Sequence, residues 1–215
     1  MSIVDPYPHY TRAERIADAV VQGTGLAFAA VGAALLIRWA IGQDDAGLFV
    51  GVFIYCVAMV GSFLASMCYH FTPWERTRHL LQRIDHAAIY LKIAGTYTPL
   101  VVLIGSAFSY SVLAFIWVLA AVGAIAKLFF WGRQGRWGTV LYLGLGWVGI
   151  ALFSSLLPLI PITAIIFIVA GGLIYSAGAV IFSLEDLRFQ NAIWHGFVFV
   201  ASACLFIAIA LGTIG

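Results

Sequence analysis

The sequence predicts an all-α, polytopic membrane protein: a seven-transmembrane helix bundle forming a single domain over residues 1–215. Three observations carry this. The chain is 63% hydrophobic and only 9% charged, whereas a soluble domain carries roughly 25% charged residues to cover its surface. Its mean hydropathy is +1.04. The apolar residues also run in long blocks, with no Asp, Glu, Lys or Arg between Lys92 and Lys127, between Arg136 and Glu185, or after Arg188. A span needs about 20 apolar residues. The first two gaps therefore each hold a pair of helices and the last holds one.

Taken in order, the apolar runs place spans at 16–41, 47–71, 86–105, 109–131, 137–157, 162–184 and 191–212. Thr11 followed by Glu14 reads as a capping box before the first. GQDDAG separates the first from the second. After the second, Thr72-Pro73-Trp74-Glu75 supplies a cap, an N1 proline and an acidic third position. A short helix over 74–84 follows, with Trp74, Leu80, Leu81 and Ile84 apolar and Arg76, Arg78 and Arg83 basic, and is expected to lie along the interface. The remaining breaks are GSAFS, GRQGR, PLIP and EDLRFQ. Gly171, Gly172, Gly178 and the Gly144/Gly146 pair are expected to let spans five and six pack closely, and could equally serve a homo-oligomer.

Charge sets the orientation and removes several function classes. Arg12, Arg15, Arg76, Arg78, Arg83, Lys127, Arg133, Arg136 and Arg188 fall on the side of the N-terminus, Arg38 on the other, and Lys92 within a span. The positive-inside rule then puts the N-terminus in the cytoplasm and the C-terminus outside, in a multi-pass protein of the inner (plasma) membrane. A net charge of +2 scattered over short loops is no nucleic-acid footprint. Cys56, Cys68 and Cys204 lie in apolar stretches without metal-type spacing and read as buried free thiols. The polar opening MSIVDPYPHYTRAER has no cleavable-signal pattern.

With this topology, sequence-distant polar residues fall at one depth near the cytoplasmic face. Ser66 and His70 share a helical face at the end of span two. Asp85 and His86 open span three, Asn191 and His195 open span seven, and Gln22 sits low in span one. Ionisable groups inside a membrane are expensive and usually face a bundle interior or a wet cavity. Each has a plainer explanation. His70 could be interfacial, Asp85 the N-cap of span three, His195 a neighbour of the belt residue Trp194, and Ser66 bonded one turn back. His9 and His79 are expected at the surface, and Glu14 is accounted for by the capping box.

SMCYH at 66–70, DHAAIYLKIAGTYTPL at 85–100 and NAIWHGFVF at 191–199 resemble the three signature stretches of the hemolysin III family. That family is the bacterial branch of the progestin and adipoQ receptor superfamily. ERIADAVVQGTG at 14–25 is similar to the family's opening motif, and the resemblance covers essentially the whole chain. It implies a zinc site near the cytoplasmic face, with His70 and His195 as metal ligands and Ser66 and Asp85 supporting them. Asn191 stands at the position of the family's middle histidine, Gln22 replaces a histidine in span one, and Leu205 replaces another in span seven. A catalytic zinc normally takes three protein ligands plus water, and a neutral amide is a poor third. Asp85 is then the available third ligand.

The resemblance implies competing functions. One is a membrane protein of lipid homeostasis, sensing or ion-linked membrane energetics, with membrane lipid as its partner. A second is a zinc-dependent intramembrane hydrolase of lipid amides, similar to the ceramide-hydrolysing receptor branch. There zinc-bound water would attack, with Asp85 as base and Ser66 as oxyanion donor. A third is a cytolysin in the historical haemolysis sense, which integral spans argue against. Lys92 is not supplied by the resemblance, since its position in IYLKIAGTYTP is usually apolar. A lysine there costs about 2.5–3.5 kcal/mol on insertion scales and calls for a partner. Asp85, seven residues earlier on the same face, is expected to be one, making Lys92 a substitute for zinc between Asp85, His70 and His195. Snorkelling to the interface and coexistence of zinc with Lys92 are the alternatives.

Overall fold

In lipid a backbone must satisfy its own hydrogen bonds, which leaves helices as the natural state of such apolar blocks. A computed structural model describes residues 10–130, 137–183 and 187–214, and its regular structure is helical throughout. The elements are α1 (Arg12–Ile41), α2 (Ala46–Phe71), α3 (Glu75–Ile104), α4 (Ala107–Phe129), α5 (Trp137–Trp147), a 3₁₀ segment (Val148–Leu152), α6 (Phe153–Leu156), α7 (Ile162–Phe182) and α8 (Gln190–Ile214). Six helices, α1 to α4, α7 and α8, are long and apolar enough to cross a membrane. The chain is thus a multi-pass helical membrane protein. The predicted ends Trp131 and Leu184 fall outside the described residues, as does His9.

Two elements differ from expectation. The helix predicted over 74–84 is not a separate interfacial element, because α3 runs unbroken from Glu75. Thr72 does not cap that helix; it is the C-cap of α2, and its hydroxyl accepts the Trp74 N–H at 3.3 Å. The predicted fifth span is broken into α5, the 3₁₀ turn and α6, and its apolar stretch Val140–Leu156 is shorter than the six spans. Gly144, Gly146 and Gly149 weaken the helix there. Tyr97 of α3 takes up the freed backbone groups: its hydroxyl donates to the Gly146 carbonyl and accepts the Gly149 N–H at 2.9 Å. The Thr11–Glu14 capping box is present.

Packing follows the logic of helices in lipid, where close backbone approach rather than water exclusion drives association. α2 lies along α3, α7 along α8, and α1 closes the bundle against α2 and α8. At Gly95 of α3 an added Cβ would stand 2.7 Å from Ala58 Cβ of α2, and at Gly178 of α7 one would stand 2.6 Å from Phe197 Cβ of α8. Gly171 also faces α8, whereas nothing approaches Gly144 or Gly146 within 4 Å. Gly171 and Gly178 therefore serve α7–α8, while a Cβ added at Gly172 would stand 3.8 Å from Trp147 of α5, a contact of the expected kind between spans five and six. Val31, Leu35, Val118, Val122, Leu173 and Val180 point outwards, as lipid-facing residues do. Of the cysteines, Cys56 is buried as expected, but Cys68 is exposed.

Candidate functional site

The site is built where α1, α2, α3 and α8 converge at the end of the bundle from which α1 starts. Glu14, four residues before Asp18, does more than complete its capping box: its other oxygen accepts the Phe189 N–H at 3.1 Å, tying α1 to the start of α8. Phe189 has a φ of 60°, a left-handed conformation rare for a bulky residue. One turn further on, Asp18 is buried against His195. Asp18 Oδ1 lies 2.6 Å from His195 Nδ1, its Oδ2 accepts from Gln22 Nε2 at 3.1 Å, and the same oxygen stands 3.8 Å from His70 Nδ1.

The second nitrogen of His195 lies 3.2 Å from Ser66 Oγ. When Asp18 takes the Nδ1 proton, Nε2 is left as the acceptor and Ser66 donates. Asp18, His195 and Ser66 thus form one hydrogen-bonded line across α1, α8 and α2. Asp85 lies beside Ser66, inside α3 and not at its N-cap. The His70 and His195 rings meet edge to face at 4.7 Å, and Asn191 Nδ2 stands 3.4 Å from His70 Nδ1. Tyr10, before α1, hydrogen-bonds Asn191, and burial pushes its hydroxyl above the ordinary range, so it stays protonated and able to donate. His86 turns aside to the Gln82 carbonyl, and His79 is exposed as expected.

Sequence reasoning brought Ser66, His70, Asp85, Asn191, His195 and Gln22 to one level, and these residues do line one cavity. It missed Asp18, the carboxylate at the centre. The signal was available: an aspartate two residues into the first predicted span, four before Gln22 on the same face. Lys92 departs from both expectations. Its Nζ donates to Ser202 Oγ of α8 at 2.7 Å, deeper in the bundle, and lies 4.5 Å from the centre of the Phe63 ring. With 8% exposure it reaches neither Asp85 and the histidines nor the surface.

The donor set was also tested against zinc. His195 commits Nδ1 to Asp18 and Nε2 to Ser66, His70 Nδ1 faces Asn191 and Asp18, and Asn191 brings a neutral amide. Among the described residues no group of three His, Cys, Asp or Glu side chains is disposed to hold a metal ion. The arrangement is one of mutual hydrogen bonding and does not fit a three-ligand zinc centre.

Below this cluster a cavity of about 1220 Å³ extends into the bundle. Its polar end carries Gln22, Ser66, His70, Asp85, Asn191 and His195. Its deeper wall is largely apolar, with Leu100, Leu152, Leu156, Ile168 and Leu205 from α3, the broken segment, α7 and α8. Gln22 Oε1 is a buried acceptor with no partner among the described residues.

Fold and site together define a polytopic helical membrane protein with a buried polar cluster opening on an intramembrane cavity. The profile of the Haemolysin-III related family matches residues 22–206, and the chain belongs to that family. It is 36% identical over 197 residues to Hemolysin-3 of Bacillus cereus, covering 91% of this chain and 90% of that one. It is 32% identical over 203 residues to the Hemolysin-3 homolog of Bacillus subtilis (strain 168), covering 93% and 94%. Similarity extends to the human monocyte to macrophage differentiation factor, at 30% identity over 189 residues, with 84% of this chain and 76% of that protein aligned.

Proposed function

We propose that this protein binds a membrane lipid in its intramembrane cavity, polar part among the buried polar side chains and chain against the apolar wall, in the service of membrane lipid homeostasis. The observation that carries this is the cavity's form: about 1220 Å³, polar at one end, with a largely apolar wall along its depth interrupted by Lys92, Thr96 and Tyr175. That is the shape of a site for an amphiphile. The unmatched Gln22 acceptor offers a hydrogen bond to a donor on the ligand. The mostly apolar wall is why lipid binding is preferred here to ion-linked energetics. In this reading the broken segment is the seventh crossing, the N-terminus faces the cytoplasm of a plasma membrane, and lysis by this chain would be nonspecific damage from over-production. Mass spectrometry of lipids retained by protein purified in detergent is the test. Single-chain lipid should co-purify with the wild type and be lost from Ile168→Trp, which fills the apolar part. Equal retention by both would overturn the proposal.

The order Asp18, His195, Ser66 supports a second reading, hydrolysis of the bound lipid. A serine hydroxyl bonded to an imidazole that is itself oriented by a carboxylate is the arrangement of an activated nucleophile. Ser66→Ala should then keep the lipid bound but end release of fatty acid from a lipid amide or ester. Release that continues unchanged in Ser66→Ala would remove this reading and leave the first intact.

A further inference from the structure

Lys92 is a positive charge sealed into the bundle with no negative one beside it. It lies seven residues beyond Asp85 on α3, about 10 Å further into the bundle at 1.5 Å per residue. It is 8% exposed and lines the cavity. Among the described residues no carboxylate stands within ion-pair distance of it, and the Asp18 carboxylate is taken up by His195 and Gln22.

The hydrogen bonds around it leave capacity for a ligand. An ammonium has three donors. One is spent on Ser202 Oγ at 2.7 Å. That oxygen also meets the Tyr175 hydroxyl at 2.8 Å and passes its own proton to the Val198 carbonyl, so it is saturated. The faces of Phe63 and Tyr175, 4.5 and 5.5 Å from Nζ, supply ring electron density but no counter-charge. Two N–H groups remain, on a side chain that lines the same cavity as Leu100, Ile168 and Leu205.

We propose that Lys92, set in place by Ser202 and Tyr175, is an anion site for the carboxylate of a single-chain lipid, a long-chain fatty acid, whose tail occupies the apolar part of the cavity. This rests on the cavity being a lipid site, as proposed above. A carboxylate offers two acceptor oxygens to the two remaining donors and supplies the missing charge in a place where water does not screen it. One chain, rather than two, suits a cavity walled by helices on most sides.

The test is equilibrium binding of radiolabelled palmitate and of hexadecanol, the same chain without the charge, to full-length protein in zwitterionic nanodiscs. Palmitate should bind wild type about tenfold more tightly than hexadecanol, since charge-assisted bonds are roughly twice as strong as neutral ones. Lys92→Gln should bring palmitate down to the level of hexadecanol and leave hexadecanol unchanged, while Lys92→Arg keeps the preference. If Lys92→Gln does not fold, the wild-type comparison and Lys92→Arg still decide. Equal binding of both probes to wild type, or a palmitate preference that survives Lys92→Gln, overturns the anion site while leaving the lipid cavity standing. Binding of neither probe overturns both. Displacement of palmitate by a tenfold lower concentration of lysophosphatidate, with its phosphate head, overturns the carboxylate assignment.

Discussion

Asp18 holds one histidine at 2.6 Å, stands 3.8 Å from another and fixes a glutamine on its own helix, so its replacement disturbs three helices at once. Asp18→Asn removes a charge-assisted bond and presents an amide where His195 needs an acceptor. It should cost about 2 kcal/mol, read as a lower unfolding temperature in detergent, and unchanged stability would show that the buried pair contributes little. Asn191→His supplies a third imidazole beside His70 and His195. Zinc per chain by elemental analysis should rise above wild type. A wild type that already carries one zinc per chain without added metal would overturn the misfit derived from the hydrogen bonds. Much of this site was legible because Ser66, His70, Asp85 and His195 sit at or near the ends of predicted apolar spans, whose depth follows from the spans alone. Asp18 was not singled out: it stands just beyond Arg12, Glu14 and Arg15 at the charged start of the first span, where a further charge does not stand out. The partner of Lys92 was sought on its own helix, whereas it lies 110 residues away on α8. Sequence spacing reports faces of one helix and is silent on which helix lies opposite.

At the scale of elements, six spans follow directly from uninterrupted apolar blocks, and their ends from caps such as Thr11 and the left-handed Gly105, with φ 64°. The fifth was read as one continuous helix because LYLGLGWVGI is as apolar as the others. Hydropathy measures fitness for lipid, and glycine content decides whether the helix holds. Tyr97→Phe should leave the Gly146 carbonyl and Gly149 N–H without their partner, at about 1–3 kcal/mol. Faster hydrogen exchange confined to the 3₁₀ segment is the expected signature, and exchange like wild type would mean the break is held by other contacts. The α2–α3 seam gives a sharper test. Gly95→Ala sets two Cβ atoms 2.7 Å apart on rigid helices, an overpacking of about 1–3 kcal/mol. A variant that melts with wild type would show that the seam can part without cost. The 74–84 segment was read as lying flat because its arginines suit an interface. Arg83, however, donates to the Leu128 carbonyl at the end of α4 at 3.0 Å, which satisfies it while α3 continues upright.

For the whole molecule, the basic residues favour one orientation. With Cys56, Cys68 and Cys204 replaced by serine, Asp5→Cys should react with an impermeant thiol reagent only after the membrane is opened, and Gly215→Cys in intact cells. The opposite pattern would reverse the topology. The meeting of α1 with α8 has a further consequence, one of timing. Asp18 enters the bilayer with the first helix, yet His195 is made 177 positions later. At about 5–20 residues per second, the carboxylate waits roughly 10–35 s for its imidazole. During that interval the nascent protein carries an acidic group in an apolar segment with Gln22 on its own helix, and later His70 of α2, to shield it. Chains that stall before the last helix would keep Asp18 without its imidazole.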